Sequence, residues 1–155
     1  MTDRRTSAGS GGLIVVGVDG SAGSALALGY AVSEARLRRA RLEVVLAWQI
    51  PATWDGSLVP VGFDPEAAGG KCLQEAVSAV PSDDITIRQQ VVQGHPATVL
   101  LAAATGADLL VVGSRGHGGF VGSLLGSVSH RCVAHATCPV VVVPAHCYDN
   151  HMVGG

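Results

Sequence analysis

The chain has 155 residues, enough for one domain with a buried core, and its formal net charge of −2 argues against a nucleic-acid-binding surface. Hydrophobic residues make up 48% of the chain and charged residues 14%, a composition that suits a parallel sheet buried on both faces. No apolar stretch reaches the roughly 18 residues needed to cross a bilayer. The four cysteines lack the spacing of a disulfide framework, so we predict reduced thiols and a cytoplasmic location.

The N-terminal part of the chain predicts a tail, a strand and a long helix. Residues 1–11 are rich in Ser, Gly and charge, which predicts a disordered tail before a domain over residues 12–145. An apolar run over residues 13–18 predicts the first strand. Ser21 or its neighbour is predicted to cap a helix over residues 22–40. The helix dipole favours the basic residues at its end, which we interpret as a solvated surface: Arg36, Arg38, Arg39 and Arg41.

The strand and helix patterns continue to alternate along the rest of the chain. Trp48 and Trp54 lie at the edge of a long loop over residues 50–64, and we favour packing over base stacking for both. The other predicted elements, in chain order, are strand two over 42–49, helix two over 65–80, strand three over 85–92, helix three over 97–105, strand four over 109–112, helix four over 127–136, strand five over 138–143 and a frayed tail over 146–155. Strands joined by helices predict one α/β domain, with a parallel sheet and right-handed crossovers.

A glycine-rich loop follows the fourth strand and leads into the last helix. The strand runs into Gly113, and a helical segment begins at Ser127, which the sequence predicts to be its cap. Successive backbone N–H groups in such a loop, together with a helix N-terminus, can hold an anion such as a polyphosphate. A mobile turn that is merely rich in glycine is the alternative. Neither the P-loop pattern nor the dinucleotide pattern G-x-G-x-x-G fits this stretch.

The pattern that does fit is G-x2-G-x9-G-[ST], met by Gly113, Gly116, Gly126 and Ser127. With IVVGVDGS near the start and CPVVVV near the end, the sequence resembles the universal stress protein family in its ATP-binding class. The resemblance extends over about residues 12–144. It implies a single doubly wound, Rossmann-like or flavodoxin-like sheet with strand order 3-2-1-4-5. It also implies ATP as ligand, with Mg²⁺ expected beside it, and a homodimer through the strand over residues 138–143.

The implied strand order makes strands one and four neighbours, and ligands bind where the chain leaves such strands toward opposite faces. Asp19 and Gly113 both lie at that edge. The predicted nucleotide-binding residues are Gly17, Val18, Asp19, Ala47, Gly113, Ser114, Arg115, Gly116, His117, Gly118, Gly119, Gly126, Ser127 and Val128. The resemblance implies that Asp19 lies against the nucleoside, that a backbone group near Ala47 contacts adenine, and that Ser127 and the N–H of Val128 contact phosphate.

Several of these residues have structural alternatives that the sequence leaves open. Asp19 can cap the following helix, and Ser127 and Ser129 can serve as ordinary N-caps. Arg115 and His117 can contact a phosphate or simply face solvent. No metal site is predicted, because the spacing of the group His130, Cys132, His135 and Cys138 matches no standard zinc pattern.

The sequence assigns no catalytic residue. An NTPase needs a group that positions water, a charge clamp and usually a held Mg²⁺, but no P-loop lysine is present and Asp19 is the one acidic residue near the loop. A Ser-His-Asp hydrolase would carry G-x-S-x-G, which is missing. We therefore predict an ATP-binding protein of stress or regulatory signalling with little or no hydrolysis. The alternatives are a slow ATP hydrolase or phosphotransfer enzyme and an interaction module that works without nucleotide.

Overall fold

The computed structural model describes residues 11–50, 61–115 and 125–145. The two predicted tails, apart from Gly11, and most of the predicted loop over residues 50–64, including Trp54, lie outside these ranges. Four helices and five strands alternate in the described part, and they are β1 (Leu13–Gly17), α1 (Ala22–Arg38), β2 (Arg41–Trp48), α2 (Pro65–Ser78), β3 (Ile87–Gln93), α3 (Pro96–Ala103), β4 (Leu109–Gly113), α4 (Ser127–His135) and β5 (Val140–Val143).

The five strands form one parallel sheet in the order β3-β2-β1-β4-β5, which confirms the predicted α/β fold and strand order. The register sets Gly17 of β1 beside Val45 of β2, and Val16 beside Val111 of β4. Because all strands run the same way, the carboxyl ends of β1, β2 and β4 meet at one edge. That edge lies at the switch point of the sheet, where α/β folds bind ligands.

The core has two halves, one on each face of the sheet. On one face, α1 and α2 bury apolar side chains such as Leu28, Val32 and Leu73. On the other face, α3 and α4 bury Leu100 and Cys132. The central strands read as continuous apolar runs because both of their faces are covered. No helix in the described ranges combines the length and the apolar character that crossing a membrane would require.

The N-termini of the helices confirm one predicted cap and correct another. Ser21 caps α1 as predicted, since its side chain accepts a hydrogen bond from the Ser24 N–H. Ser127 was predicted to cap α4, but the cap is Gly126, and Ser127 is the first helical residue. Gly126 has extended backbone angles and offers no side-chain hydrogen bond, so α4 begins without a side-chain cap.

Some predicted boundaries shift by two residues. The strand predicted from residue 85 begins at Ile87, because residues 82–85 form a turn in which the Ile85 N–H donates to the Ser82 carbonyl. The strand predicted over residues 138–143 begins at Val140. The first helix was predicted to reach residue 40, but it ends at Arg38, since Arg39 adopts a left-handed conformation with φ 54° and ψ 38°. That conformation turns the chain directly into β2.

Candidate functional site

A cavity of about 440 Å³ opens at the carboxyl ends of β1, β2 and β4. Its size falls within the range of small-molecule and cofactor sites. Seven of the predicted nucleotide-binding residues line it, namely Gly17, Val18, Asp19, Ala47, Gly113, Arg115 and Val128. The structure therefore brings together residues that lie more than a hundred positions apart in the chain. Gly116, His117, Gly118 and Gly119 lie outside the described residues.

The backbone N–H and C=O of Ala47 are directed toward the β1 side of β2, beyond the last residue of β1. Along β2, the N–H of Arg41 bonds the Gly12 carbonyl, and the carbonyl of Val45 accepts the N–H of Val18 at 2.9 Å. These residues therefore face β1, and by the alternation of a strand Ala47 faces the same way. β1 ends at Gly17, opposite Val45, so at the level of Ala47 no residue of β1 continues the ladder. The N–H and C=O of Ala47 thus form one donor and one acceptor at the cavity wall.

The segment after β4 lies directly on the first turn of α1. A Cβ added to Gly113 would stand 2.9 Å from the carbonyl oxygen of Gly23. A Cβ added to Gly23 would stand 2.6 Å from the carbonyl oxygen of Arg115. Both positions therefore require glycine because two backbones approach each other, whatever the ligand. This contact holds Arg115 at the cavity.

Ser114 is buried and fastens three elements together. Its N–H donates to the Val143 carbonyl at 2.9 Å, and its Oγ accepts from the Ala145 N–H at 3.2 Å. Its carbonyl accepts the Gly126 N–H at 2.7 Å. The amide of Ser114 is thus used inside the protein, and the residue positions the loop relative to β5 and α4.

The start of α4 supplies donors that the helix itself cannot use. The first N–H groups of any α-helix have no acceptor within it, and the helix dipole adds a partial positive charge there. Val128 lines the cavity, and Ser127 is exposed. Ser129 is buried, and its Oγ donates to the carbonyls of Ser114 at 3.1 Å and Gly126 at 3.0 Å. Ser129 therefore fixes the helix start against the loop.

Asp19 lies at the rim of the cavity, exposed to solvent. Its Oδ1 accepts the Ser21 N–H at 2.9 Å, which makes a local turn before α1. Ser21 performs the capping of α1, so that alternative for Asp19 is not what the structure shows. Among the described residues that line the cavity, Asp19 is the one carboxylate.

Nine lining residues were not among the predicted site residues. They come from α3, from the ends of β2 and β4, and from the start of α1, and they are Pro96, Leu100, Val45, Leu46, Trp48, Gln49, Val112, Ser21 and Ser24. Trp48 also packs against the core cluster under α1 and α2, so its predicted packing role is confirmed. Each of these residues lies near the carboxyl end of a strand, just after it, or in the first half of a helix that follows a strand. That position in the βα units is the signal that could have found them.

Among the described residues, the titratable groups of this region give no sign of a metal centre. No group of three or more His, Cys, Asp or Glu side chains in the described ranges could hold a metal ion. Cys132 is fully buried, and burial raises the pKa of its thiol to about 11. Burial and then the charges of Glu75 and Asp19 raise the pKa of the Cys72 thiol. Both thiols therefore stay protonated at neutral pH, and neither is an activated nucleophile.

Comparison with known proteins identifies the family. Residues 13–144 match the universal stress protein family. This chain belongs to that family. A universal stress protein of Mycolicibacterium smegmatis is 38% identical over 135 residues, covering 84% of this chain and 45% of that protein. The chain thus spans about half the length of the curated relatives it matches.

Solved structures of universal stress proteins share the fold. One, in complex with cAMP, is 31% identical, with a TM-score of 0.64 over 86% of this chain and 97% of that one. Another, from Archaeoglobus fulgidus in complex with dAMP, is 26% identical, with a TM-score of 0.62 over 84% of this chain and 95% of that one. Both neighbours therefore bind adenine nucleotides.

Proposed function

We propose that this universal stress protein binds ATP in the cavity at the carboxyl ends of β1, β2 and β4, and that it acts in stress or regulatory signalling in the cytoplasm. The observation that carries the proposal is that one cavity is bordered both by the backbone N–H and C=O of Ala47 and by the N-terminus of α4. The N–H and C=O of Ala47 suit the edge of an adenine ring, and the start of α4 suits a phosphate. The complexes of relatives with cAMP and dAMP support the adenine part.

The proposal that the ligand carries a triphosphate is based on the glycine-loop pattern and on the start of α4. Ser127 and Val128 supply amides at the helix N-terminus, and Arg115 supplies a cation at the same cavity. Phosphates fit such a site because the donors are fixed before the ligand arrives. Mg²⁺ would reach the site held mainly by phosphate oxygens and water, which is its usual way of accompanying a nucleotide.

Hydrolysis is expected to be slow or absent. Phosphoryl transfer needs a positioned water and a charge clamp around the transferred group. Of the described residues at the cavity, Asp19 alone carries a carboxylate, and it is exposed and already accepts the Ser21 N–H. A nucleotide bound there would act as a regulatory ligand of the protein and not as a substrate. Steady phosphate release that disappears in an Asp19→Ala variant would instead favour the hydrolase alternative.

The proposal is tested by deleting one amide. Ser127→Pro removes the N–H of the first helical residue, where proline is well tolerated. The preceding Gly126, at φ −70° and ψ 169°, already has the extended backbone that a following proline demands. The matched Ser127→Ala variant removes the hydroxyl and keeps the N–H. We expect Ser127→Pro to bind ATP about tenfold more weakly than Ser127→Ala in calorimetric titration, since a hydrogen bond to a charged group is lost.

Two outcomes would count against this assignment. Equal ATP affinities in Ser127→Pro and Ser127→Ala would mean that the amide does not hold a phosphate. No binding of ATP, AMP or cyclic AMP by the unmodified protein at millimolar ligand would leave the interaction-module alternative. Comparing the three ligands also decides how much of the affinity comes from the added phosphates.

The same proposal includes a homodimer through β5. Within the described part of the chain, β5 pairs with β4 on one side only. An apolar edge strand such as VVVV is prone to pair with another strand unless it is covered. A second copy of the same edge would cover it, as the family resemblance implies for residues 138–143.

A further inference from the structure

A second cavity, of about 250 Å³, lies at the other end of the strands, where β2 and β3 begin. It is formed where α1 ends, β2 begins and the chain enters β3, and Arg36, Arg39, Arg41, Asp84 and Thr86 line it. We call it the arginine cavity. Since β2 rises about 3.3 Å per residue over its length, the arginine cavity lies roughly 25 Å from the nucleotide cavity. The two are separate sites.

Arg36 and Asp84 form one wall of the arginine cavity as a bidentate pair. The Arg36 Nε lies 2.6 Å from Asp84 Oδ2, and its Nη2 lies 3.0 Å from Asp84 Oδ1. The same Nη2 donates to the Pro81 carbonyl at 3.0 Å. The pair joins the last turn of α1 to the segment before β3. The charge of Asp84 is therefore already balanced by Arg36.

Arg39 and Arg41 line the same cavity, and neither forms an ion pair with another described residue. With Arg36 and Asp84 in balance, these two guanidinium groups leave an excess positive charge at the cavity. The whole chain is net negative, so the excess is local. Arg38, by contrast, lies outside the cavity and pairs with Glu34 at 2.9 Å.

The backbone of Arg39 is the second unusual feature of this region. It has φ 54° and ψ 38°, and it is the one non-glycine residue of positive φ among the described residues. Its N–H bonds the Ala35 and Arg36 carbonyls, and the Ala40 N–H also bonds Ala35, which is the helix end that glycine normally completes. An arginine held in this strained conformation beside a cavity points to a role for its side chain.

We propose that the arginine cavity binds a phosphate group, with Arg39 and Arg41 as its principal cations and the Arg36–Asp84 pair as its wall. Guanidinium groups match phosphate because each presents parallel N–H donors to two oxygens. Two cations without carboxylate partners match the charge of a phosphate dianion. The small volume suits inorganic phosphate, diphosphate or the phosphate of a small metabolite, which share this chemistry.

The experiment is a titration of the full chain with inorganic phosphate and with diphosphate, against chloride at equal ionic strength, followed by backbone amide chemical shifts. The binding variants are Arg39→Gly and Arg41→Gln, and Arg38→Ala is the matched control on the same helix end. Arg39→Gly keeps the fold because glycine adopts the left-handed conformation without strain. We expect Arg39→Gly and Arg41→Gln each to weaken binding about tenfold, and Arg38→Ala to leave it unchanged.

In the unmodified protein, the shifts should concentrate at Ala40 and Thr86. Binding of either anion at these amides supports the proposal, and stronger binding of diphosphate would indicate a ligand with more than one phosphate. Shifts confined to Gly113 and Val128 would mean that the anion enters only the nucleotide cavity and would overturn the proposal. A response at Ala40 and Thr86 to polyglutamate but not to phosphate would also overturn it, in favour of an acidic peptide.

Discussion

Gly23 in the first turn of α1 lies against the carbonyl of Arg115, close enough that a Cβ on Gly23 would stand 2.6 Å from that oxygen. The contact joins the helix that follows β1 to the loop that follows β4. Its partner contact, between Gly113 and the Gly23 carbonyl, would be equally crowded by a side chain at 2.9 Å. The glycine pattern of this region thus has a packing reason in addition to the proposed phosphate contact.

Gly23→Ala is expected to destabilise the fold and to weaken ATP binding. The atom that crowds the new methyl group is the backbone oxygen of Arg115, which cannot rotate away as the end of a side chain can, so the Arg115 segment must move. Overpacking of this kind costs about 1–3 kcal/mol. Chemical denaturation measures the stability, and calorimetric titration measures the affinity for ATP.

The control for this prediction is Gly29→Ala in the same helix. Apart from its chain neighbours and the adjacent backbone of its own helix, no atom lies within 4 Å of an added Cβ at Gly29. Alanine should therefore raise the free energy of unfolding by about 0.5–1 kcal/mol through helix propensity alone, with unchanged binding. If both substitutions stabilise the protein, the close approach of Gly23 to Arg115 does not exist in solution.

Gly126→Ser is expected to stabilise the fold and to weaken the binding of ATP. Gly126 is the N-cap of α4 with φ −70° and ψ 169°, angles that serine adopts readily, and it offers no side-chain cap. A serine oxygen there can accept an N–H of the first helical turn, which adds a few tenths of a kcal/mol. If phosphate approaches the bare main chain, the same side chain and its use of a helix donor should lower the affinity for ATP. A variant that is more stable and binds ATP as before would argue against phosphate at this helix start.

Val142→Pro tests the proposed dimer edge. Along β5, the carbonyls of Pro139 and Val143 accept hydrogen bonds from β4, so by alternation the N–H of Val142 points away from β4. Proline at Val142 should therefore keep the sheet intact and remove one donor from the open edge. We expect sedimentation to show a dimer for the unmodified chain and a monomer for Val142→Pro.

The companion variant Val142→Thr keeps the N–H and a similar shape, and it should remain dimeric. Circular dichroism checks that both variants are folded. A dimer that survives Val142→Pro would mean that the copies do not pair through the main chain of this edge.

Asp84→Asn should lower stability at neutral pH and lose its effect in acid. The hydrogen bonds from Arg36 hold the pKa of Asp84 below its ordinary value of 3.8. A carboxyl whose pKa is lower in the folded state stabilises it above the unfolded pKa, and this contribution disappears as the pH falls through the folded pKa. The melting temperatures of Asp84→Asn and the unmodified protein should therefore differ at pH 6, begin to converge as the pH falls below about 4, and coincide only below the folded pKa.

The effect should be small, because both side chains of this pair are about half exposed and the solvent screens them. Asp83→Asn is the matched control, since the neighbouring carboxyl forms no ion pair with a described residue. A pH-independent difference for Asp84→Asn would show that the variant acts through packing and not through the charge of the carboxylate.

The fold could be predicted because strands buried on both faces leave a strong local signal. Runs such as Leu109–Gly113 are apolar throughout and are bounded by residues that break strands or cap helices. The exact first residue of α4 was harder to predict. Gly126 and Ser127 are both acceptable caps in sequence, and only the path of the chain, fixed by the Gly126–Ser114 hydrogen bond, decides between them.

The sequence by itself determined the order of strands and helices, the parallel sheet and the glycine loop, because periodicity and turn residues are local properties of the chain. Only the tertiary structure decided that Gly23 packs on Arg115, that Ala47 turns its main chain over the end of β1, and that Arg39 and Arg41 share a cavity. These relations depend on strand register and on the docking of helices, which bring distant segments together. A pattern read along one segment cannot contain them.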